Sequence, residues 1–235
     1  MKAVVLAGGK GTCLLPYTRI LPKPLMPIGD MPILEILLHQ MKRAGVTDVV
    51  LTVGHLSELM RAFFKNGEPL GINISYSYED MPLGTSGPLA LVDGLDDTFL
   101  VSNGDVLTTL SMGDLIAYHK QSGAIATIAM HARKIKIDLG VIELNGNNRI
   151  KDYIEKPTID YHVSMGLYVF ESAVLKFIPK NERLDFPDLV KRLLAAGETV
   201  VDYPFKKYWQ DLGRPDDYTQ AVDDFEQMRS QFLPE

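Results

Sequence analysis

Residues Met1 to Ile33 read MKAVVLAGGKGTCLLPYTRILPKPLMPIGDMPI. The apolar run Ala3 to Ala7 has the length and composition of a buried strand. It breaks at once into Gly8, Gly9, Lys10, Gly11 and Thr12. Glycine lacks a Cβ, so the backbone can turn sharply there and bring its N–H groups against an anion. Lys10 adds a mobile positive charge. Pro16, Pro22, Pro24 and Pro27 stiffen the connection that follows, and Lys23 projects from that restrained backbone. Two familiar phosphate motifs do not fit. The dinucleotide fingerprint needs a third glycine where Leu14 stands, and a P-loop needs Gly-Lys-Ser/Thr.

The chain has 235 residues, of which 46% are hydrophobic, enough for a sizeable core in one domain. No apolar run approaches the ~20 residues that cross a bilayer, and the N-terminus lacks the pattern of a signal peptide. The single cysteine, Cys13, excludes an internal disulfide and agrees with a reducing, cytoplasmic setting. A net charge of −6 argues against a nucleic-acid or anionic-membrane surface. An anionic substrate would then need a local cluster of positive groups.

Further along, apolar spacing predicts helices over Pro32 to Ala44 and over Ser57 to Lys65, the latter closed by Asn66-Gly67. Strands are expected at Asp48 to Val53, Ile72 to Tyr78 and Thr98 to Val101. A short helix to Leu95 precedes the last of these. The alternation argues for an open, mostly parallel sheet with helices on both faces. The rhythm then changes. A helix at Asp114 to Gln121 is followed by strands at Ala124 to Ala132, Gly140 to Leu144, Arg149 to Glu155 and Val163 to Phe170, with Asn145 to Asn148 as a hairpin turn. Helices at Ala173 to Phe177 and Pro187 to Ala196, extended pieces at Val200 to Tyr203 and Tyr208 to Asp211, and an amphipathic helix at Asp216 to Gln231 complete the chain. No repeat or linker divides it.

Ligands of open α/β sheets sit at the carboxyl ends of the strands. Three loops leave strand ends with polar groups: Gly8 to Lys23, Glu79 to Gly87, and Asn103 to Asp105. Asn103-Gly104-Asp105 alone is turn chemistry. After an apolar strand beside a phosphate-binding loop, Asp105 also suits Mg²⁺, which takes one or two carboxylates plus phosphate and water oxygens.

Together these segments resemble the sugar-1-phosphate nucleotidylyltransferases, also called nucleotide-sugar pyrophosphorylases. The family's L-A-G-G-x-G-T-R-L-x-P-x-T is present from Leu6 to Thr18, with Pro22-Lys23-Pro24 after it, except that Cys13 stands where the family carries arginine. Pro82-Leu83-Gly84-Thr85-Ser86-Gly87 resembles the loop under the base. Glu155-Lys156-Pro157 and Trp209-Gln210-Asp211-Leu212-Gly213 match two further family elements. The resemblance implies a Rossmann-like mixed sheet of the nucleotide-diphospho-sugar transferase type. A nucleotide-binding lobe would span about residues 1–110 and a smaller β-rich sugar-binding lobe about residues 111–235 of one domain.

It also implies roles. Leu6, Gly8, Gly9, Gly11, Thr12, Cys13, Lys23, Pro82, Leu83, Gly84, Thr85, Asn103 and Gly104 would surround the nucleotide, with backbone groups of Leu83, Gly84 and Thr85 at the base. Gly140, Glu155, Lys156, Ser164 and Gly166 would meet the sugar. Lys23, Asp105, Lys156 and Asp211 would be catalytic, and Asp105 and Asp211 would hold Mg²⁺. The implied reaction joins an NTP and a sugar 1-phosphate and releases pyrophosphate, with short mannose-1-phosphate guanylyltransferases nearest in look. Uridylyl or thymidylyl transfer to glucose 1-phosphate is the alternative. The missing arginine, a forked and permanently charged donor, opens another: a nucleotide-sugar-binding regulatory homologue with weak catalysis. A homo-oligomeric state is left open.

Overall fold

The computed structural model describes residues 1–234. β1 (Lys2–Leu6) leads through three 3₁₀ turns to the short strands β2 (Pro27–Ile28) and β3 (Met31–Pro32), then to α1 (Ile33–Arg43). β4 (Asp48–Val53), α2 (Ser57–Phe64), β5 (Asn73–Tyr78), β6 (Phe99–Asn103) and β7 (Val106–Thr108) follow. Next come α3 (Met112–Ser122), β8 (Ala126–Lys136), β9 (Val141–Leu144), β10 (Ile150–Ile154) and β11 (Thr158–Phe170). α4 (Phe186–Ala195), β12 (Val200–Phe205), β13 (Trp209–Asp211) and α5 (Pro215–Phe232) close the fold.

Seven strands form one sheet in the order β12-β8-β11-β6-β1-β4-β5. Every neighbouring pair is parallel except those of β11, which runs antiparallel to both β8 and β6. This is the open, mixed, mostly parallel sheet expected from the alternation of apolar segments. The centre is buried on both faces, which is why β1 reads as a continuous apolar run rather than an alternating one. Ala3 and Val5 face one core, and Val4 faces the other. α1 sets Leu34, Leu37, Leu38 and Met41 on the first core at the three- and four-residue spacing of a helix face. Its Ile33 and Ile36 turn to a third cluster, which Phe225 and Phe232 of α5 complete. α4 covers the second core with Leu189 and Leu193.

Several boundaries differ from the sequence expectation. The piece before β6 is a 3₁₀ turn, Gly87–Leu91, not a helix to Leu95, and Ser172–Phe177 is also 3₁₀. α2 ends at Phe64, with Lys65 rather than Asn66 taking a positive φ of 48°. β8 and β11 extend well past the core as a two-stranded arm, Lys136 pairing with Thr158 at its end. The second half of β8 and the first half of β11 carry charged and exposed residues that conceal their extended conformation in the sequence. β7, three residues after a turn, was not expected as a strand. No helix among the described residues is long and apolar enough to cross a membrane.

Candidate functional site

β1 has β4 on one side and β6 on the other, so the chain reverses its order across the sheet at β1. The crevice between the carboxyl ends of β1 and β6 is therefore the place for a ligand. Gly8 to Thr12 leaves the first strand there, and Asn103-Gly104-Asp105 leaves the second. A cavity of about 750 Å³ opens between these loops. Its lining includes the expected Leu6, Gly8, Gly9, Gly11, Thr12, Cys13, Lys23, Pro82, Gly84, Thr85, Asn103, Gly104 and Asp105.

Local chemistry shapes the loop. Gly11 has a φ of 61°, and a Cβ there would lie 2.9 Å from Thr18 Cγ2. Its carbonyl accepts the Thr18 hydroxyl at 2.7 Å and the Leu14 N–H at 3.0 Å, so the turn is held from within. Pro22 then feeds a 3₁₀ turn that starts at Lys23.

Lys23 Nζ donates to Asp105 Oδ2 and lies 3.9 Å from Asp211 Oδ1. The two carboxylates come together because β7 pairs with β13: Asp211 stands opposite Val106, the residue after Asp105. Burial pulls the Lys23 ammonium towards its neutral form, but the charge and hydrogen bond of Asp105, followed by the charge of Asp211, outweigh it and raise its pKa. Lys23 is thus held as a cation. The Asp211 carboxyl is pushed up, first by burial and then by the Asp105 charge, with Lys23 opposing. Two carboxylates that repel each other beside an open cavity suit a divalent cation, whose remaining ligands are phosphate and water oxygens. No cluster of three His, Cys, Asp or Glu side chains suited to a metal occurs among the described residues.

The far end of the cavity was only partly legible. Leu83 is buried, and its N–H donates to Glu79 Oε2 at 3.0 Å while its carbonyl accepts from Leu184 at 2.9 Å. The Thr85 N–H is likewise taken, by Asp185 Oδ1 at 2.9 Å. Those donors of the expected base-contacting loop therefore hold the loop itself. Glu79, whose carboxyl burial pushes up, sits against Gly8 and ties the two loops together. Sequence reasoning gave Glu79 and Asp185 no such role, although an acid straight after a strand at a ligand-bearing edge was a signal. Arg183, also unforeseen, lies on the cavity wall 3.3 Å from Asp185 Oδ2.

The expected sugar-side residues divide. Gly166 takes a φ of 73° at an irregularity in β11, and a Cβ there would come within 2.6 Å of Asn103 Nδ2, so the strand is closed onto the Asn103 loop. Ser164 accepts the Gly166 N–H at 3.3 Å and donates to the Tyr168 hydroxyl at 2.9 Å. Gly140 lies under the ring of Tyr153. Glu155 and Lys156 are exposed at the end of the β9–β10 hairpin and do not line the cavity that holds Lys23. The cavity itself is not the cationic cleft that the substrate chemistry suggested. Lys10, Lys23 and Arg183 on its wall are set against Glu79, Asp80, Asp105 and Asp185.

The family model described as nucleotidyl transferase matches residues 2–228. A UTP–glucose-1-phosphate uridylyltransferase from Synechocystis is 32% identical over 94% of this chain and 62% of its own length. A mannose-1-phosphate guanyltransferase from Yarrowia lipolytica is 35% identical over 93% of this chain and likewise 62% of its own. The chain thus spans somewhat under two thirds of these relatives. A candidate glucose-1-phosphate thymidylyltransferase from Bacillus anthracis, crystallised with sucrose, shares the fold with a TM-score of 0.78 at 23% identity, covering 99% of this chain and 98% of that one.

Proposed function

The chain belongs to the nucleotidyl transferase family, and from that premise we propose that it transfers a nucleotidyl group from an NTP to a sugar 1-phosphate. A phosphate oxygen of the sugar attacks the α-phosphorus in line. That P–O bond forms as the bond to the β-phosphate breaks, and pyrophosphate leaves with the electron pair. Such chemistry asks for positioning and charge dispersal rather than covalent help. The glycine loop receives the departing pyrophosphate. Lys23, kept charged by its two acids, meets the α-phosphate. Lys156 holds the attacking sugar phosphate and Glu155 the sugar hydroxyls, once the arm that bears them turns towards the cavity. Asp105 and Asp211 would hold Mg²⁺, which when bound offsets the charge shared by the reacting phosphates. The observation that carries this reading is the Lys23–Asp105–Asp211 cluster, whose Lys23 and Asp105 line the glycine-loop cavity.

GTP and mannose 1-phosphate are the favoured pair. Asn103-Gly104-Asp105 and Leu184-Asp185-Phe186-Pro187 look most like those of mannose-type guanylyltransferases, and several curated relatives carry that name. The uridylyltransferase relative keeps UTP and glucose 1-phosphate as the competing pair. Pyrophosphate release measured over a matrix of four NTPs against mannose, glucose and heptose 1-phosphates decides it. The largest kcat/KM is expected for GTP with mannose 1-phosphate, and a maximum with UTP or dTTP would overturn the assignment.

One observation favours a second reading. Cys13 lines the cavity with its Sγ directed at the Leu212 carbonyl, 3.8 Å away, and supplies no cation there. A chain that binds nucleotide-sugars without turning over would show saturable binding and no pyrophosphate release with any pair in the matrix.

A further inference from the structure

The segment from Glu182 to Asp185 is strapped to the loop at the far end of the cavity. The Leu184 N–H donates to the Leu83 carbonyl at 2.9 Å. The Leu184 carbonyl accepts the N–H groups of Ser86 at 2.9 Å and Gly87 at 3.0 Å, and the Ser86 hydroxyl at 3.0 Å. Asp185 Oδ1 accepts the Thr85 N–H, and the Thr85 hydroxyl accepts the Phe186 N–H at 2.8 Å. Gly84, with a φ of 81°, lets the two segments meet, since a Cβ there would lie 2.6 Å from the Leu184 carbonyl oxygen. Leu184 is buried, so the residue before it leaves a backbone that is held in place. That residue is Arg183, which lies on the cavity wall with Gly84 and Thr85.

Arg183 makes one polar contact among the described residues, from Nη2 to Asp185 Oδ2 at 3.3 Å. The side chain is otherwise open, 71% exposed. A guanidinium carries its N–H donors in a planar fork, so most of those on Arg183 are unused. The loop donors nearby are not free: the N–H groups of Leu83 and Thr85 bind Glu79 and Asp185. This end of the cavity therefore offers a ligand a cationic fork steadied by one acid.

We propose that Arg183 selects guanine, its guanidinium donating to O6 and N7 of the base. The inference rests on the reading of the cavity as a nucleotide site. Guanine sets those two acceptors side by side, and the arginine fork matches them with two parallel hydrogen bonds. Adenine sets an amino donor beside N7 and would meet the fork donor to donor. Uracil and thymine have no second acceptor beside O4. The phosphates have partners of their own in the glycine loop and Lys23. Asp185 is a positioning residue: Thr85 fixes one of its oxygens, and the other holds the fork.

Calorimetric titration of the full chain with Mg²⁺ and GTP, 7-deaza-GTP, UTP or tripolyphosphate tests this. 7-Deaza-GTP replaces N7 by C–H and leaves the rest of the nucleotide intact. The wild type should bind GTP about tenfold more tightly than 7-deaza-GTP and on the order of 100-fold more tightly than UTP. That comparison needs no variant and so no assumption about folding. Arg183→Gln should lose at least tenfold for GTP, bind the two guanine nucleotides alike, and hold tripolyphosphate as the wild type does. Equal wild-type affinities for GTP and 7-deaza-GTP, tighter binding of UTP than of GTP, or an Arg183→Gln that weakens tripolyphosphate as much as GTP would each overturn the proposal. If none of the four ligands bound, the nucleotide reading of the cavity would fail with it. If all bound and N7 made no difference, only the role of Arg183 would.

Discussion

At the scale of single residues, the site is a balance of three charges. Lys23 stays protonated because two acids surround it, and Asp211 pays for that arrangement by standing beside Asp105. Its raised pKa means that the fold disfavours the charged form, so stability falls as pH rises through that range. Asp211→Asn removes the conflict. The unfolding midpoint without metal should rise at neutral pH, by no more than about 3 °C, since ~1 kcal/mol moves Tm by about 2–4 °C in a chain of this size and a half-exposed carboxylate contributes less. Turnover should fall on the order of 100-fold or more with the lost ligand. A drop in midpoint on calorimetry would show that Asp211 is a net stabiliser. Cys13 gives the opposite case, a position where function is to be gained. Hydrogen bonds to charged groups are worth roughly 1.5–3 kcal/mol, so Cys13→Arg should raise kcat by about 10–100-fold. An unchanged kcat would mean that the leaving phosphates are held elsewhere.

At the scale of elements, β1 and its glycine loop were legible because an apolar strand followed by glycines has few alternatives. α1 was legible because its spacing is that of one helix face. The arm of β8 and β11 was not, since side chains such as Lys134, Asp160 and His162 give an exposed strand no periodicity to read. Nor was the bracing of Thr85 by Asp185, which joins residues 100 positions apart. A buried link of the same kind ties α3 to the sheet. His119 Nδ1 accepts the Thr127 hydroxyl at 2.8 Å, and Nε2 donates to Glu171 Oε1 at 3.0 Å. Thr98 donates to the same Oε1 at 2.8 Å. With its side chain wholly buried, His119 has its pKa lowered by burial, although Glu171 opposes. The unfolded chain therefore takes up a proton there before the folded one does. That contribution to stability is complete above the ordinary histidine range and is lost as pH falls below it. Thermal unfolding between about pH 7 and about pH 5 should show the midpoint falling. In His119→Gln the fall should be smaller, from a lower starting midpoint; an identical fall would assign the dependence to other groups.

At the scale of the whole molecule, the proposed reaction asks a chain of net charge −6 to admit a triphosphate and a sugar phosphate. The cavity does not reverse that sign, because its three cations are offset by four carboxylates. Attraction therefore has to be short-ranged and conditional. Lys23 and the glycine loop act only on a ligand already in contact, and the acid pair becomes an asset only when a divalent cation joins it. The long-range field meanwhile opposes entry. Salt should expose this order of effects. At saturating Mg²⁺, raising KCl from about 10 to 100 mM shrinks the Debye length from about 30 to 10 Å and screens the distant repulsion more than the contacts inside the cavity. The nucleotide kcat/KM is expected to rise over that range, up to a few-fold, whereas a cationic funnel would give a steep fall. Chelation should act in the other direction and far more strongly, with nucleotide affinity measured by calorimetry dropping on the order of 100-fold in EDTA, because two like-charged carboxylates are then left facing the phosphates at a cost of several kcal/mol. A nucleotide that bound equally well with and without the cation would locate the phosphate site away from Asp105 and Asp211, and the reading of the cluster would fall with it.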